Sequence, residues 1–196
     1  MSTKVRREVY SQIGGHPAVD LINTVEWRLN TGRFADDLID YEDLVRWGVQ
    51  MGLVSAVEAS VLRGAASDAP ADAAKEFVRS RSLREALYAT LFAAGDPGVV
   101  AREYADTVGS GRLDLVGDRW EWEVPVDLAL PRRRIALEAF DLLTRADLST
   151  LGQCQDADCG WVFLDTSPRH NRRWCVAADC GNRNRAREFY RRARAS

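Results

Sequence analysis

The hydrophobic pattern of this chain is helical over most of its length and alternates clearly only once. After a short extended start, Pro17 to about Trp27 (PAVDLINTVEW) sets Val19, Ile22 and Trp27 among polar residues, which predicts a helix. Asp40 can cap the next helix, whose apolar positions include Leu44, Val45 and Val49 and which ends near Gly52. Ser55 and Glu58 have the spacing of a capping box, with Val61 and Leu62 following. A longer helix is expected from about Ala71 to Ala94, with Leu83, Leu87, Tyr88 and Leu91 as its buried stripe and a break near Ser80–Ser82. Another covers roughly Pro97 to Val108.

The alternating stretch is RLDLVGDRWEWEV. With Gly117-Asp118 as a two-residue turn, Leu115 faces Trp120 and Leu113 faces Trp122, so alternation and register agree on a hairpin. Pro131 then opens an apolar helix containing Ile135, Phe140 and Leu143, which leads through Leu148 and Leu151 to the first cysteine. The expected fold class is therefore α+β and predominantly α. A helical N-terminal domain with a small β-hairpin or sheet occupies residues 1–150, and a C-terminal module occupies 151–196.

Composition changes this picture little. At 196 residues and 46% hydrophobic content, the chain can bury a sizeable core. No apolar run approaches the roughly 18–20 residues that cross a bilayer, so no membrane partner is expected. The opening MSTKVRREVYSQ has no apolar stretch after its charged head, which points to the cytoplasm and reduced thiols. Charge changes the picture more. The net charge of −2 conceals a C-terminal segment, 169–196, with nine arginines against Asp179 and Glu188. A field of that sign within a Debye length suits a polyanion.

All four cysteines lie in that same region, as Cys154-x4-Cys159 and Cys175-x4-Cys180, each pair followed by glycine (Gly160 and Gly181). Two identical loops that turn backbone amides toward sulfur can bring four thiolates to tetrahedral corners, the closed structural geometry of Zn²⁺. Disulfides and an iron–sulfur cluster are the competing readings; a reducing compartment argues against the first and the wide spacing against the second. Four thiolates leave no open coordination position, so the zinc is structural and replaces the core that some 40 residues lack. Trp161, Phe163 and Trp174 are expected to pack around it, with stacking on nucleic acid as the sharper reading.

Beyond Cys180 a final helix starts near Asn182, its candidate cap, and Ala186, Phe189, Tyr190 and Ala193 form a stripe suited to packing on the zinc module. Arg183, Arg185, Arg187, Arg191, Arg192 and Arg194 take the remaining surface, and Arg169, Arg172 and Arg173 precede the second cysteine pair. The planar guanidinium suits phosphate and the O6/N7 edge of guanine. Six arginines on phosphates would give a log K against log salt slope of about −5.

The segments C-x4-C-G-W-x-F-x-D-x-S, R-R-W-C and C-G-N-R resemble the CGNR zinc finger, whose tetrapeptide stands here as Cys180-Gly181-Asn182-Arg183. GGHPAVDLINTVEWR and SLREALYATLFA resemble recurring segments of its usual partner, the ABATE domain. The resemblance implies a stress-related bacterial regulator that binds double-stranded DNA through the finger, with the N-terminal domain sensing a signal. It carries over Cys154, Cys159, Cys175 and Cys180 as metal ligands and Arg172, Arg173, Arg183 and Arg185 as basic positions. The chain departs from the pattern at Ser167-Pro168-Arg169-His170-Asn171, where Pro168 changes the local backbone.

Little in the sequence suggests catalysis: there is no P-loop, no nucleophile elbow and no complete dinucleotide fingerprint. His16 is a capping or packed residue before a helix, and His170 belongs to the basic loop. Asp20 and Asn23 share a helical face, either as ligand-binding groups or as solvated surface. Trp27, Trp47, Trp120 and Trp122 are core residues or line a pocket for an effector. The expected function is thus a zinc-dependent DNA-binding regulator of transcription, not an enzyme, whose DNA contacts are Arg169, Arg172, Arg173, Arg183, Arg185, Arg187 and Arg191. A small-molecule effector and a homodimer fit that role. The alternative is a ligand-binding or enzymatic N-terminal domain with the finger as a protein or RNA contact.

Overall fold

The computed structural model describes residues 6–195, so the extended start lies partly outside the described residues. The chain divides into two compact units that do not follow its order. Unit 1 takes the chain up to Tyr10 and then Leu38–Ala146; unit 2 joins Ser11–Asp37 to everything from Asp147 onward. The chain is 54% helical with small two-stranded sheets, so the class is α+β, mostly α.

Unit 1 contains α2 (Tyr41–Gln50), α3 (Ala56–Asp68), α4 (Pro70–Phe92), α5 (Gly98–Ser110), the hairpin β3 (Arg112–Val116) and β4 (Arg119–Glu123), and α6 (Leu130–Arg145). Asp40 caps α2 by accepting from the Asp43 amide, and Ser55 with Glu58 forms the capping box of α3. α4 does not break at Ser80–Ser82. Ser80 and Ser82 donate instead to the carbonyls four residues back, at 2.8 and 3.0 Å, which satisfies their hydroxyls without leaving the helix.

The helices close over Leu44, Trp47, Leu62, Leu83, Leu87, Leu130, Ile135 and Leu142, all buried. Tyr104 stacks on Phe140 with ring centroids 3.7 Å apart, tying α5 to α6. Buried Arg132 of α6 reaches Glu76 at 2.7 Å and also pairs with Glu103, so these three charged groups satisfy one another. The hairpin has the expected register, Leu113 opposite Trp122 and Leu115 opposite Trp120. Its apolar side chains nevertheless face solvent.

Unit 2 begins with α1 (Pro17–Ile22), shorter than the pattern suggested, and a small ladder of β1 (Val25–Glu26) on β2 (Ala35–Asp36). After the C-cap at Asn23 and the strand β1 the chain turns sharply at Trp27, whose φ of 53° is in the left-handed region. After Asp147 come β5 (Leu151–Gln153), antiparallel to β6 (Val162–Leu164), a π-helical turn at Ala177–Gly181, and α7 (Asn182–Ala195).

Candidate metal centre and basic helix

The first cysteine pair sits on the β5–β6 hairpin and the second on the π-helical turn that runs directly into α7. The sulfurs of Cys154, Cys159, Cys175 and Cys180 all lie within 4.8 Å of one another, and all four residues are buried. Cys159 and Cys175 are 3.7 Å apart and Cys175 and Cys180 3.4 Å, far beyond a disulfide bond. Tetrahedral corners around zinc, with Zn–S near 2.3 Å, would separate sulfurs by about 3.8 Å. The cluster is therefore suited to one zinc ion, held by four thiolates with no protein-derived opening for chemistry.

Backbone amides support the sulfurs as the loop argument requires: those of Asp156 and Cys175 address Cys154, and that of Trp161 addresses Cys159. The neighbouring Cys159 and Cys175 thiols also hold Cys154 well below the ordinary thiol range. The two glycines serve different ends. Gly160 has φ of 73° and lies where a Cβ would sit 2.8 Å from Arg28 Cβ, so both conformation and space demand glycine. Gly181 lacks the expected positive φ; its hydrogen makes room for the Trp174 ring, which a Cβ would meet at 3.1 Å.

Phe163 is buried in this cluster, with Trp161, Trp174 and Ile13 packed against it, so these aromatics serve the core rather than a stacking platform. Trp161 also donates from Nε1 to the Val25 carbonyl at 3.0 Å. That bond belongs to a set made by the N-terminal segment. Asn23 donates to the Val162 carbonyl at 2.9 Å and accepts from the Val162 amide at 2.8 Å, pairing with β6 as a neighbouring strand would. The Leu164 amide donates to the Gly14 carbonyl at 2.8 Å, and the Arg28 amide to the Cys159 carbonyl at 3.0 Å. GGHPAVDLINTVEWR is thus a structural wall of the zinc unit.

Asp20 and Asn23, expected on a ligand-binding or solvated face, are both buried. His16 caps α1 by accepting from the Ala18 amide, as its position suggested. Asp20 accepts from the Gly14 amide at 2.7 Å, but burial outweighs that bond and raises its carboxyl from 3.8 to about 6. A carboxyl that holds its proton more tightly folded than unfolded destabilises the fold as pH climbs from about 4 to 6. Asp20→Asn should therefore raise stability at pH 8 by about 1–2 kcal/mol, after allowing for partial solvent screening. The gain over wild type should shrink toward pH 5; thermal melts of both proteins at the two pH values check this, and a constant gap would refute it.

The basic helix is mounted in an unexpected way. Its stripe of Ala186, Phe189, Tyr190 and Ala193 does not pack on the module; these residues are exposed, Phe189 and Tyr190 at 65% each. Arginines face inward instead. Asp156, buried in the first cysteine loop, accepts from Arg183 Nε at 3.3 Å and Arg187 Nη1 at 3.2 Å, and Asp158 accepts from Arg187 Nη2 at 2.7 Å. Arg183 also pairs with Asp179, donates to Cys180 Sγ at 2.8 Å and lies 4.6 Å over the Trp27 ring. A buried carboxylate flanked by two guanidiniums is a stronger, more directional anchor here than an Ala-rich stripe. Asn182 does not act as an N-cap: its side chain donates to the Ala178 carbonyl, because the π-helical turn already supplies the preceding backbone.

The other arginines divide in the same way. Arg172 is held inside the unit by the carbonyls of Cys175 at 2.7 Å and Ile13 at 3.3 Å, with its guanidinium 4.1 Å over the Phe163 ring. Arg173 is exposed but donates to Gln155 at 2.7 Å and lies 5.3 Å over Trp174. Arg169, Arg185 and Arg191 are exposed. Around Pro168, Asp165 organises the basic loop by accepting from the amides of Ser167 and Arg172, at 2.9 and 2.7 Å. His170 adopts φ of 45° there, with Nδ1 2.9 Å from the Asp165 carbonyl oxygen.

The four aromatics considered for an effector pocket do not share one. Trp47 is fully buried, Trp120 and Trp122 are exposed, and Trp27 stacks under Arg33 at 3.3 Å as well as Arg183.

This geometry defines a two-unit zinc protein whose metal centre carries a basic helix. The chain belongs to the ABATE family, whose description is "Putative stress-induced transcription regulator" and whose profile matches residues 15–146. Residues 150–193 match the CGNR zinc finger. No curated protein is detectably similar to the chain. The two matches meet near residue 150, whereas 11–37 folds with the finger, so the compact units cut across the family boundary. Among the described residues no helix is long and apolar enough to cross a membrane.

Proposed function

We propose that this protein binds double-stranded DNA through the outward face of α7 and regulates transcription, with unit 1 as the modulating part. The observation that carries the reading is the division of labour among the arginines. Arg172, Arg183 and Arg187 hold the zinc unit together, while Arg185, Arg191, Arg192 and Arg194 remain exposed on a rigidly mounted helix. Phe189 and Ala193 lie beside Arg185 and Arg192 on the same face, side chains able to meet thymine methyl groups in a major groove. Arg169 and Arg173 add charge from the basic loop.

In unit 1, an open groove bordered by Tyr41, Arg63, Pro70 and Phe77 is spanned by the Glu42–Arg63 pair at 2.9 Å. The Glu42 and Arg63 side chains there satisfy one another, and the modulating signal is a small-molecule effector. The cytoplasm is the compartment in which this function has its DNA target.

With four helix arginines rather than six on phosphates, log K should fall with log salt at a slope of about −3.6. Arg185→Ala with Arg192→Ala should reduce that slope by about 2 and weaken binding at low salt while zinc content stays unchanged. Fluorescence anisotropy titrations on a selected duplex at several salt concentrations provide the check. Unchanged affinity in the double variant would remove α7 as the DNA-binding element.

A further inference from the structure

The β3–β4 hairpin is built like half of an interface. Leu113, Leu115, Trp120 and Trp122 form one apolar face, exposed at 58, 59, 68 and 43%. Apart from Val116, the opposite face is charged, with Arg112, Asp114, Arg119, Glu121 and Glu123. The closest packing of the two strands is on each other, with the Trp122 ring also against Gly111 at the end of α5. A lone two-stranded hairpin is marginal in water, and one with two exposed tryptophans on a single face more so.

We propose that this face is the homodimer interface of the protein, and that its occupant is the same face of a second copy. Charge narrows the choice. Residues 112–123 carry two arginines against four acids, which disfavours an anionic bilayer or a nucleic acid backbone. Area supports a copy of itself. With tryptophans offering 150–250 Å² each, the exposed fractions amount to about 500 Å² per chain and about 1,000 Å² for the pair, at the threshold of a specific interface. An apolar face without a fixed charge is compatible with itself across a two-fold axis, leaving both charged faces in water. An interface at that threshold, with few anchors, is expected to form a reversible dimer. This inference does not depend on DNA binding, and its test uses no DNA; if both hold, the dimer presents two readers to two half-sites.

Analytical ultracentrifugation of the zinc-loaded full chain over a wide micromolar range should show a reversible monomer–dimer equilibrium. Leu115→Lys with Trp120→Lys should weaken it by about 100-fold or more, as expected for loss of central anchors, without changing zinc content. Glu121→Lys, on the charged face, should leave the dimer intact. Because the double variant changes a marginal hairpin, hydrogen exchange on wild type supplies an independent reading: amides of 112–123 should slow as concentration rises. A wild type monomeric throughout, a dimer that survives the double variant, or hairpin exchange independent of concentration would each overturn the proposal. Protection without dimerisation would assign the face to this chain's own residues, and dimerisation without it to another surface.

Discussion

Cys175→Ser is expected to unfold one unit of this protein and leave the other standing. The sulfur lies 3.7 Å from Cys159 and 3.4 Å from Cys180, at the junction of the two cysteine loops. A structural zinc contributes on the order of 10–16 kcal/mol near neutral pH, more than the whole stability of an ordinary domain, and a serine ligand forfeits most of it. The unusual part of the expectation is where the damage travels. Ile13 packs on the cysteine cluster, Asn23 pairs with Val162 and the Arg28 amide bonds to Cys159, so 11–37 should lose protection together with 147–195. Leu38–Ala146 closes over its own core and should keep its slow amides. Hydrogen exchange read by mass spectrometry, with zinc content measured in parallel, tests this. Protection retained over 11–37 after metal loss would show that the N-terminal segment folds without the finger.

The second large effect belongs to Asp156→Ala. Its carboxylate is 1% exposed and accepts from Arg183, Arg187 and the Asp158 amide. Removing one partner of a buried ion pair typically costs about 3–5 kcal/mol. Here both guanidiniums are partly solvated and keep other partners, Asp179 for Arg183 and Asp158 for Arg187, which lowers the expected loss to about 2–3 kcal/mol. The loss should concentrate in α7, whose amides would exchange faster while the β5–β6 ladder stays protected. If α7 is the DNA-binding element, affinity falls with it even though no contact residue has changed. Chemical denaturation and exchange on the zinc-loaded variant measure both effects. Unchanged protection of α7 would mean that its mounting lies elsewhere.

These two sites also show what could be read without coordinates. The metal centre was legible because its chemistry is local: a duplicated C-x4-C-G fixes ligand type, loop length and valence within a few residues. The caps at Asp40 and Ser55 and the register of β3 on β4 were legible for the same reason, each depending on neighbours close in sequence. The mounting of α7 was not. A stripe of Ala186, Phe189, Tyr190 and Ala193 has the period of a buried face, and periodicity cannot reveal that a buried carboxylate 27 residues from Arg183 attracts the other side of the helix. The same limit applied to Asp20 and Asn23, whose polar character suggested a surface until β6 supplied the partner of Asn23, 139 residues away.

The sequence by itself determined the helical class, the caps at Asp40 and Ser55, the hairpin and four thiolates for zinc, because short-range sterics and ligand chemistry specify them. Only the tertiary structure decided which arginines anchor the zinc unit and which stay exposed on the helix. It also decided that the N-terminal segment belongs to the zinc unit and that the Trp120–Trp122 face is left open. Those outcomes rest on long-range pairing of buried polar groups, which selects among faces that local pattern leaves equivalent.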